Sequence, residues 1–331
     1  MQIGVLGAGA VGCTLGGRLA HGGSEVVLVG RPSMAARLTA GLTLSRWGEP
    51  AIEVPRTALR FETEAGALSG CDIVLVCVKS RDTLEAGRQL EGVVRPGTVV
   101  ASLQNGTDNA PILARALPGC RIWPGMVSFN IVCDDEGRFH QGTSGPVVLP
   151  ADASALVEAL RAGGCEARTH RDVPGVLWGK LLLNLNNAVN ALSGLPLREQ
   201  LSERRYRHQL AKVIEEGRRV LRAAHVRARG VGRLRPGLAP WVLRLPDLLF
   251  FRVAAAMIAI DPRARSSMAD DLDRGRPTEV DSLNGTIVHL AQRAGVPAPL
   301  NATLVRLIHQ AEEDQGSPRL SAEELERALE A

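Results

Sequence analysis

Apolar positions along the chain follow two different rhythms. In the first half, short runs of Val, Leu and Ile at residues 3–6, 25–29, 72–78 and 98–103 recur between segments with helical spacing at 13–20, 33–39, 81–90 and 109–116. Near-continuous apolar runs of this length fit strands covered on both faces, as in a parallel sheet whose crossovers are helices. Weaker alternation at 41–44 and 51–54 predicts edge strands. Alternation over 121–133 and 137–149, with Asp134-Asp135-Glu136-Gly137 between them, predicts a hairpin. A helix from about 152 and a strand at 166–169 complete this half, and the polar stretch 171–175 is the predicted boundary. Beyond it the pattern is almost wholly helical, with breaks at 194–196, 230–240, 261–262, 276–277 and 295–299, and a final helix capped by Ser321. The run 248–260 is interrupted by Arg252 and too short to span a bilayer, so a buried helix is expected there. The expected fold is therefore α/β. Residues 1–172 form a doubly wound dinucleotide-binding domain of Rossmann type, and residues 173–331 form an all-α domain.

The first strand runs directly into Gly7-Ala8-Gly9-Ala10-Val11-Gly12 and then a helix. In that setting Gly7 permits the sharp turn, Gly9 lets a pyrophosphate approach the backbone, and Gly12 lets helix and strand pack closely. The N–H groups that open the helix, from Ala10 and Val11 onward, face the phosphates. The second strand ends in Gly30-Arg31 and lacks the acid that would hold a ribose 2′-hydroxyl. Arg31 instead offers a planar, permanently charged fork for a 2′-phosphate, which predicts NADP(H) over NAD(H). Lys79 and Asn105 each follow a central strand, at the carboxyl ends where such sheets bind ligands. Lys79 either approaches the cofactor or starts the next helix; Asn105-Gly106 is either a ligand contact or a turn. His140, alone in the predicted hairpin, reads as structural.

In the helical half, Lys180, Asn184 and Asn187 lie within about 60° of one another on a regular helix, among leucines. An ammonium in such a setting is costly unless it meets partners or a ligand, and its pKa can fall into a range useful for proton transfer. The alternative is a lysine whose head reaches solvent. Thr278 reads as an N-cap, and Val280, Leu283, Ile287, Leu290 and Ala294 as the buried stripe of the helix that follows. Glu279 sits at the edge of that stripe, where it either caps the helix or faces a cleft.

Composition narrows the classes. The formal charge of +4 arises from arginines spread along the second half, without a polybasic block and with 3% aromatics, so nucleic acid is not an expected partner. Six scattered cysteines show no CxxC pair or zinc-like spacing, and no metal is expected. Without a recognisable secretory or membrane segment, the chain is expected in the cytoplasm with its thiols reduced.

Taken together, GAGAVG, Lys79, Gln104-Asn105-Gly106, Trp178-x-Lys180-Leu181-x-x-Asn184, and Ser266-Ser267-Met268 through Thr278-Glu279-Val280-Asp281-x-x-Asn284-Gly285 resemble the ketopantoate reductase (2-dehydropantoate 2-reductase) family over nearly the whole chain. The resemblance implies NADPH-dependent reduction of the keto group of 2-dehydropantoate to pantoate, a step of pantothenate and coenzyme A synthesis. It implies Lys180 as general acid and Glu279 as the group that orients it or binds substrate hydroxyls. Asn105, Asn184 and Ser267 would hold the substrate, with Arg31 and Lys79 on NADPH. One departure stands out: the family commonly has a second Asn four residues after the first, where this chain has Ala188, and Asn187 is the expected substitute. Two alternatives stay open: a reductase of another 2-oxoacid, and an NADP(H)-binding sensor without turnover. A homodimer is a possible assembly, with the 236–261 segment as a lid or subunit contact.

Overall fold

The glycine-rich turn sits at the centre of a six-stranded sheet in which every pairing is parallel. The strands are β1 (Gln2–Leu6), β2 (Glu25–Val29), β3 (Gly41–Arg46), β4 (Glu49–Pro55), β5 (Arg60–Glu62), β6 (Ile73–Val76), β7 (Val99–Ser102) and β8 (Arg121–Pro124), of which β5-β2-β1-β6-β7-β8 form this sheet in that order. The chain winds outward in both directions from β1, so the switch point lies between β1 and β6. Alternate residues explain why these strands read as unbroken apolar runs. Ile3, Val5 and Leu75 enter one core with Leu15 and Leu19, while Leu6, Val74 and Val76 enter another with Leu90 and Leu113. Both faces are buried, which is the arrangement that helical crossovers impose. The computed structural model describes the chain except residues 47, 135, 231–235, 255–260, 263 and 331.

The region read as one long hairpin is divided among three sheets. β8 joins the parallel sheet; β9 (Met126–Val127), β12 (Val147–Pro150) and β13 (Ala167–His170) form a second sheet; only β10 (Ile131–Cys133) and β11 (Arg138–Gln141) make the hairpin. The Asp134 carboxylate accepts from Glu136 N and Arg138 N and holds that turn, of which residue 135 lies outside the described residues. β11 then pairs in parallel with β3, so β3 is internal to its sheet and β4 is the edge. His140 is placed by its Nδ1 contact with Ser45 Oγ at 2.9 Å, consistent with a structural part.

The chain folds as two separate units, Met1–Pro174 and Gly175–Ala331. The second unit is helical. Leu181, Leu185, Val189, Val213, Ile287 and Leu304 meet in its core. The helix bearing Lys180, Val173–Asn184, is interrupted at Leu185, and a separate helix runs Asn186–Ser193. Thr278 Oγ1 accepts from Val280 N as a cap would, but the turn that follows, Asp281–Gly285, is a π-turn; in the regular helix beyond it Ile287 and Ala291 are buried, while Leu290 and Ala294 of the expected stripe are half-buried. The tail helix Ala322–Glu330 opens with a reciprocal cap, Ser321 N donating to the Glu324 carboxylate and Glu324 N to Ser321 Oγ.

Over the described part of 248–260 the expectation of a buried helix is not met, since Phe250 is buried but most of its neighbours are exposed. The described part, Asp247–Val253, leaves Leu248 77% and Val253 56% exposed, with Trp241 of the preceding helix at 64%; residues 255–260 lie outside the described residues. The segment is anchored from beneath by Arg207, a fully buried guanidinium on the Arg204–Ala223 helix. It donates to the carbonyls of Leu201, Ser202, Leu243 and Leu245 and to Asp247, and lies 4.1 Å over the Phe250 ring. A cation inside, satisfied by four carbonyls and one carboxylate, leaves the leucines of the same segment to face outward.

Candidate active site

In the first unit the turn after β1 is built by three glycines with three different constraints. Gly7 adopts φ +101°, and a Cβ there would lie 2.6 Å from Val78 N. A Cβ on Gly12 would lie 2.2 Å from the Gly7 carbonyl, so the helix could not seat so closely on the strand. Gly9 meets nothing within 4 Å, which leaves its outer face open. The Ala10–His21 helix begins there with no side-chain cap and no acid in its first turn, so the leading N–H groups of Ala10, Val11 and Gly12 keep their donor capacity for an anion. Gly30 brings the end of β2 against Ala8, and Arg31 follows it with an exposed side chain. An exposed guanidinium at the β2 end and an open helix N-terminus are the donor set a 2′-phosphorylated dinucleotide needs.

Lys79 is half-buried after β6 and stands at the N-cap position of the short turn Ser80–Asp82. Asn105 is half-buried after β7, and its backbone is fixed by groups that sequence reasoning missed. Ser80 Oγ donates to the Asn105 carbonyl at 2.6 Å and Asn109 Nδ2 donates to the same oxygen. Behind them, buried Thr83 Oγ1 lies 2.7 Å from Asn109 Oδ1 and accepts from Gln104 Nε2. These bonds tie the loops after β6 and β7 together and fix the Asn105 backbone. The available signal was a cluster of small polar residues following two apolar strands.

In the second unit, Lys180 keeps slight surface exposure, yet the protein around it is dense enough to lower its pKa from 10.5 to about 8. Burial is the main cause; the charge of Glu279 opposes it. The charge of Glu279 thus acts on a lysine 99 positions earlier in the chain. Asn184 ends the Lys180 helix and is half-buried. Past the break at Leu185, Asn187 is half-buried while Ala188 is fully buried in the core.

Asn187 and Ser267 are brought together through Ser266. The Ser266 hydroxyl donates to the Asn187 carbonyl at 3.3 Å and accepts from Ala269 N at 3.1 Å, capping the Ser267–Asp273 helix at whose first position Ser267 stands half-buried. Asn190 Oδ1 accepts from Ser266 N at 2.9 Å, and Gln200 joins Asn190 to Asn186. Asn190, Gln200 and Ser266 are fully buried and were not singled out from sequence as a framework, because their partners lie far apart in the chain. No group of three His, Cys, Asp or Glu side chains able to hold a metal occurs among the described residues, and no helix there is long and apolar enough to cross a membrane.

Two family profiles match the chain: "Ketopantoate reductase PanE/ApbA" over residues 3–153, and "Ketopantoate reductase PanE/ApbA C terminal" over residues 172–312. The 2-dehydropantoate 2-reductase of Halobacterium salinarum is 28% identical over 95% of this chain and 100% of its own length. That of Caulobacter vibrioides is 29% identical over 94% and 99%. The crystal structure of a PanE/ApbA family ketopantoate reductase from Ralstonia eutropha superposes with a TM-score of 0.80 at 32% identity, covering 95% of this chain and 99% of that one.

Proposed function

Because the chain belongs to the ketopantoate reductase family, we propose that it reduces 2-dehydropantoate to pantoate with NADPH as the reductant. Residues 1–172 are read as the NADP-binding domain, and 173–331 as the substrate-binding and catalytic domain. The observation that carries the reading is Lys180, an ammonium with a pKa near 8 on a leucine-lined helix, under the charge of Glu279. Gly7, Gly9, Ala10, Val11 and Gly12 would receive the pyrophosphate, Arg31 the 2′-phosphate, and Lys79 and Asn105 the remainder of the cofactor.

NADPH held by these residues would supply the hydride that the keto carbon accepts. As that bond forms, the carbonyl π pair moves onto oxygen, and Lys180 Nζ gives its proton to the developing alkoxide. An ammonium with a pKa near 8 stays mostly charged at neutral pH, yet surrenders its proton more readily than a solvated lysine. Its charge also stabilises the oxyanion before transfer is complete. Glu279 keeps the ammonium protonated against the cost of burial, and solvent restores the proton after turnover. Asn105, Asn184, Asn187 and Ser267 would hold the substrate carboxylate and hydroxyl; none of them ionises, so none competes for the proton.

Ala188 favours a second reading, a different 2-oxoacid in the same reaction, since the family's usual carboxamide is absent there. NADPH oxidation measured against a panel of 2-oxoacids decides. Turnover of 2-dehydropantoate with the highest kcat/KM supports the first reading, a preference for another acid the second, and NADPH binding without any turnover overturns both.

The finer setting of the protein belongs to the same proposal. The exposed face with Leu238, Trp241, Leu248 and Val253 is read as the contact of a homodimer in the cytoplasm. A monomeric mass in sedimentation at micromolar concentration would refute the dimer.

A further inference from the structure

The backbone that carries Glu279 is irregular. It leaves the Ser267–Asp273 helix through Gly275 at φ +59° and Pro277, and enters the π-turn Asp281–Gly285. Its two flanks are held by a single helix, Pro299–Glu313. On one side Glu312 Oε1 accepts the Thr278 backbone N–H at 2.6 Å; on the other, His309 Nε2 lies 3.0 Å from Asp281 Oδ1. The two anchors are joined, because His309 Nδ1 lies 3.0 Å from Glu312 Oε2. Ionised carboxylates only accept, so a ring facing one at each nitrogen must carry hydrogen on both, which makes it an imidazolium. Glu279 sits between the anchored positions 278 and 281.

We propose that Glu312, bridged through His309 to Asp281, is a positioning residue for Glu279: the three side chains clamp both ends of the 278–281 segment and so fix the carboxylate that faces Lys180. The inference rests on Lys180 as proton donor and Glu279 as its electrostatic partner.

The charges around the clamp agree with the geometry. The hydrogen bond to Glu312 raises the His309 pKa above its ordinary value; burial opposes this, and Asp281 reinforces it. Burial pushes Glu312 up, but bonds from Thr278 and His309 outweigh it and leave the carboxyl below its usual range. The Asn186–Ser193, Arg204–Ala223, Thr286–Ala294 and Ala322–Glu330 helices also pack on Pro299–Glu313, and the leading influences on the two groups are burial, Thr278, Asp281 and each other. Arg276 lines a cavity of about 100 Å³ beside Glu312, together with Pro277, so the segment has room to collapse if the clamp is cut.

The test is the pH profile of kcat in full-length variants. Glu312→Ala removes the Thr278 acceptor and the His309 counterion. With Glu279 no longer held on Lys180, the alkaline limb should move down by about half a pH unit or more. At pH 8.5 kcat should fall roughly 2- to 3-fold and at pH 7 by less than about 2-fold, with NADPH affinity unchanged. Glu312→Gln should rescue, since its amide oxygen still accepts from Thr278 and its NH₂ donates to a neutral His309 that keeps its bond to Asp281. A role confined to stability would lower the folded fraction and leave the limb where it is. Should Glu312→Ala fail to fold, His309→Gln carries the same test with the Glu312–Thr278 bond intact. Glu279→Gln separates the two levels. If it moves the limb while Glu312→Ala and His309→Gln do not, the clamp is overturned alone; if Glu279→Gln leaves the limb in place, the reading beneath falls with it.

Discussion

Replacing Lys180 by Met should make the protein more stable and nearly inactive. The lysine's pKa of about 8, against 10.5 in its ordinary state, sets the cost of keeping that charge in the fold at roughly 3 kcal/mol. That figure is a ceiling, because Met gives up the attraction of Glu279 and packs differently, so the expected gain at pH 7 is about 1–2 kcal/mol. In a unit of this size that corresponds to a Tm increase of roughly 2–8 °C, measured calorimetrically without ligand. The pH dependence has a definite sign. The folded-state pKa lies below the unfolded one, so between about 8 and 10.5 the unfolded chain binds more protons and wild-type stability rises with pH. The advantage of Met is therefore full below about 8 and gone by about 10.5. Turnover of 2-dehydropantoate should fall by on the order of 10² or more, with NADPH affinity retained. In the wild type kcat should decline as pH passes about 8, as the donor loses its proton. A Tm unchanged at pH 7 and flat with pH would place the ammonium in solvent, and near-normal turnover would remove it from the chemistry.

Gly9→Ala and Gly12→Ala should part company. A methyl at 9 meets no atom within 4 Å, so folding stability should stay within about 0.5 kcal/mol while NADPH affinity drops at least ~10-fold. A methyl at 12 lies 2.2 Å from the Gly7 carbonyl and should cost about 1–3 kcal/mol in thermal unfolding; equal Tm values for the pair would contradict the division of labour. Arg31→Ala should weaken NADPH binding by about 10- to 100-fold and NADH binding by less than about 3-fold, as titration calorimetry would show, and equal losses would remove the basis for NADP. Ala188→Asn, which restores the family's carboxamide, should lower Tm without raising kcat/KM, since it buries an amide in a full core at a cost of about 1–3 kcal/mol. A gain in kcat/KM at unchanged Tm would show that position 188 reaches substrate.

The parallel sheet was legible because its cause is local. Strands buried on both faces must be apolar at nearly every position, and β1 and β6 are. The smaller sheets were not legible, because alternation reveals a strand with two unlike faces but not its partner. β11 pairs with β3 across nearly a hundred residues, and nothing in either segment announces it. The apolar stretch from 248 departs from expectation for a related reason: hydrophobicity there does not mean burial, because Arg207, from a helix forty residues earlier, occupies the interior beneath it. A charged residue that satisfies five acceptors inverts the usual pattern, and no count of apolar residues can foresee that.

The candidate site shows the same limit at closer range. Lys180 and Asn184 were readable as neighbours because four residues bring a helix back to the same side. Extending that wheel to Asn187 assumed an unbroken helix, and the break at Leu185 removes the assumption. What sets Asn187 is instead the bond from Ser266 Oγ to its carbonyl, itself fixed by Asn190 from the following turn. The four asparagines between 184 and 190 thus divide into two kinds. Asn186 and Asn190 are buried and spend their amides on Gln200 and Ser266, while Asn184 and Asn187 stay half-buried. Only packing separates them, since residue type and spacing treat all four alike. The substitution at 188 is then understandable: with the framework supplied by 186 and 190, that position has become core, and a small apolar side chain is what the core admits.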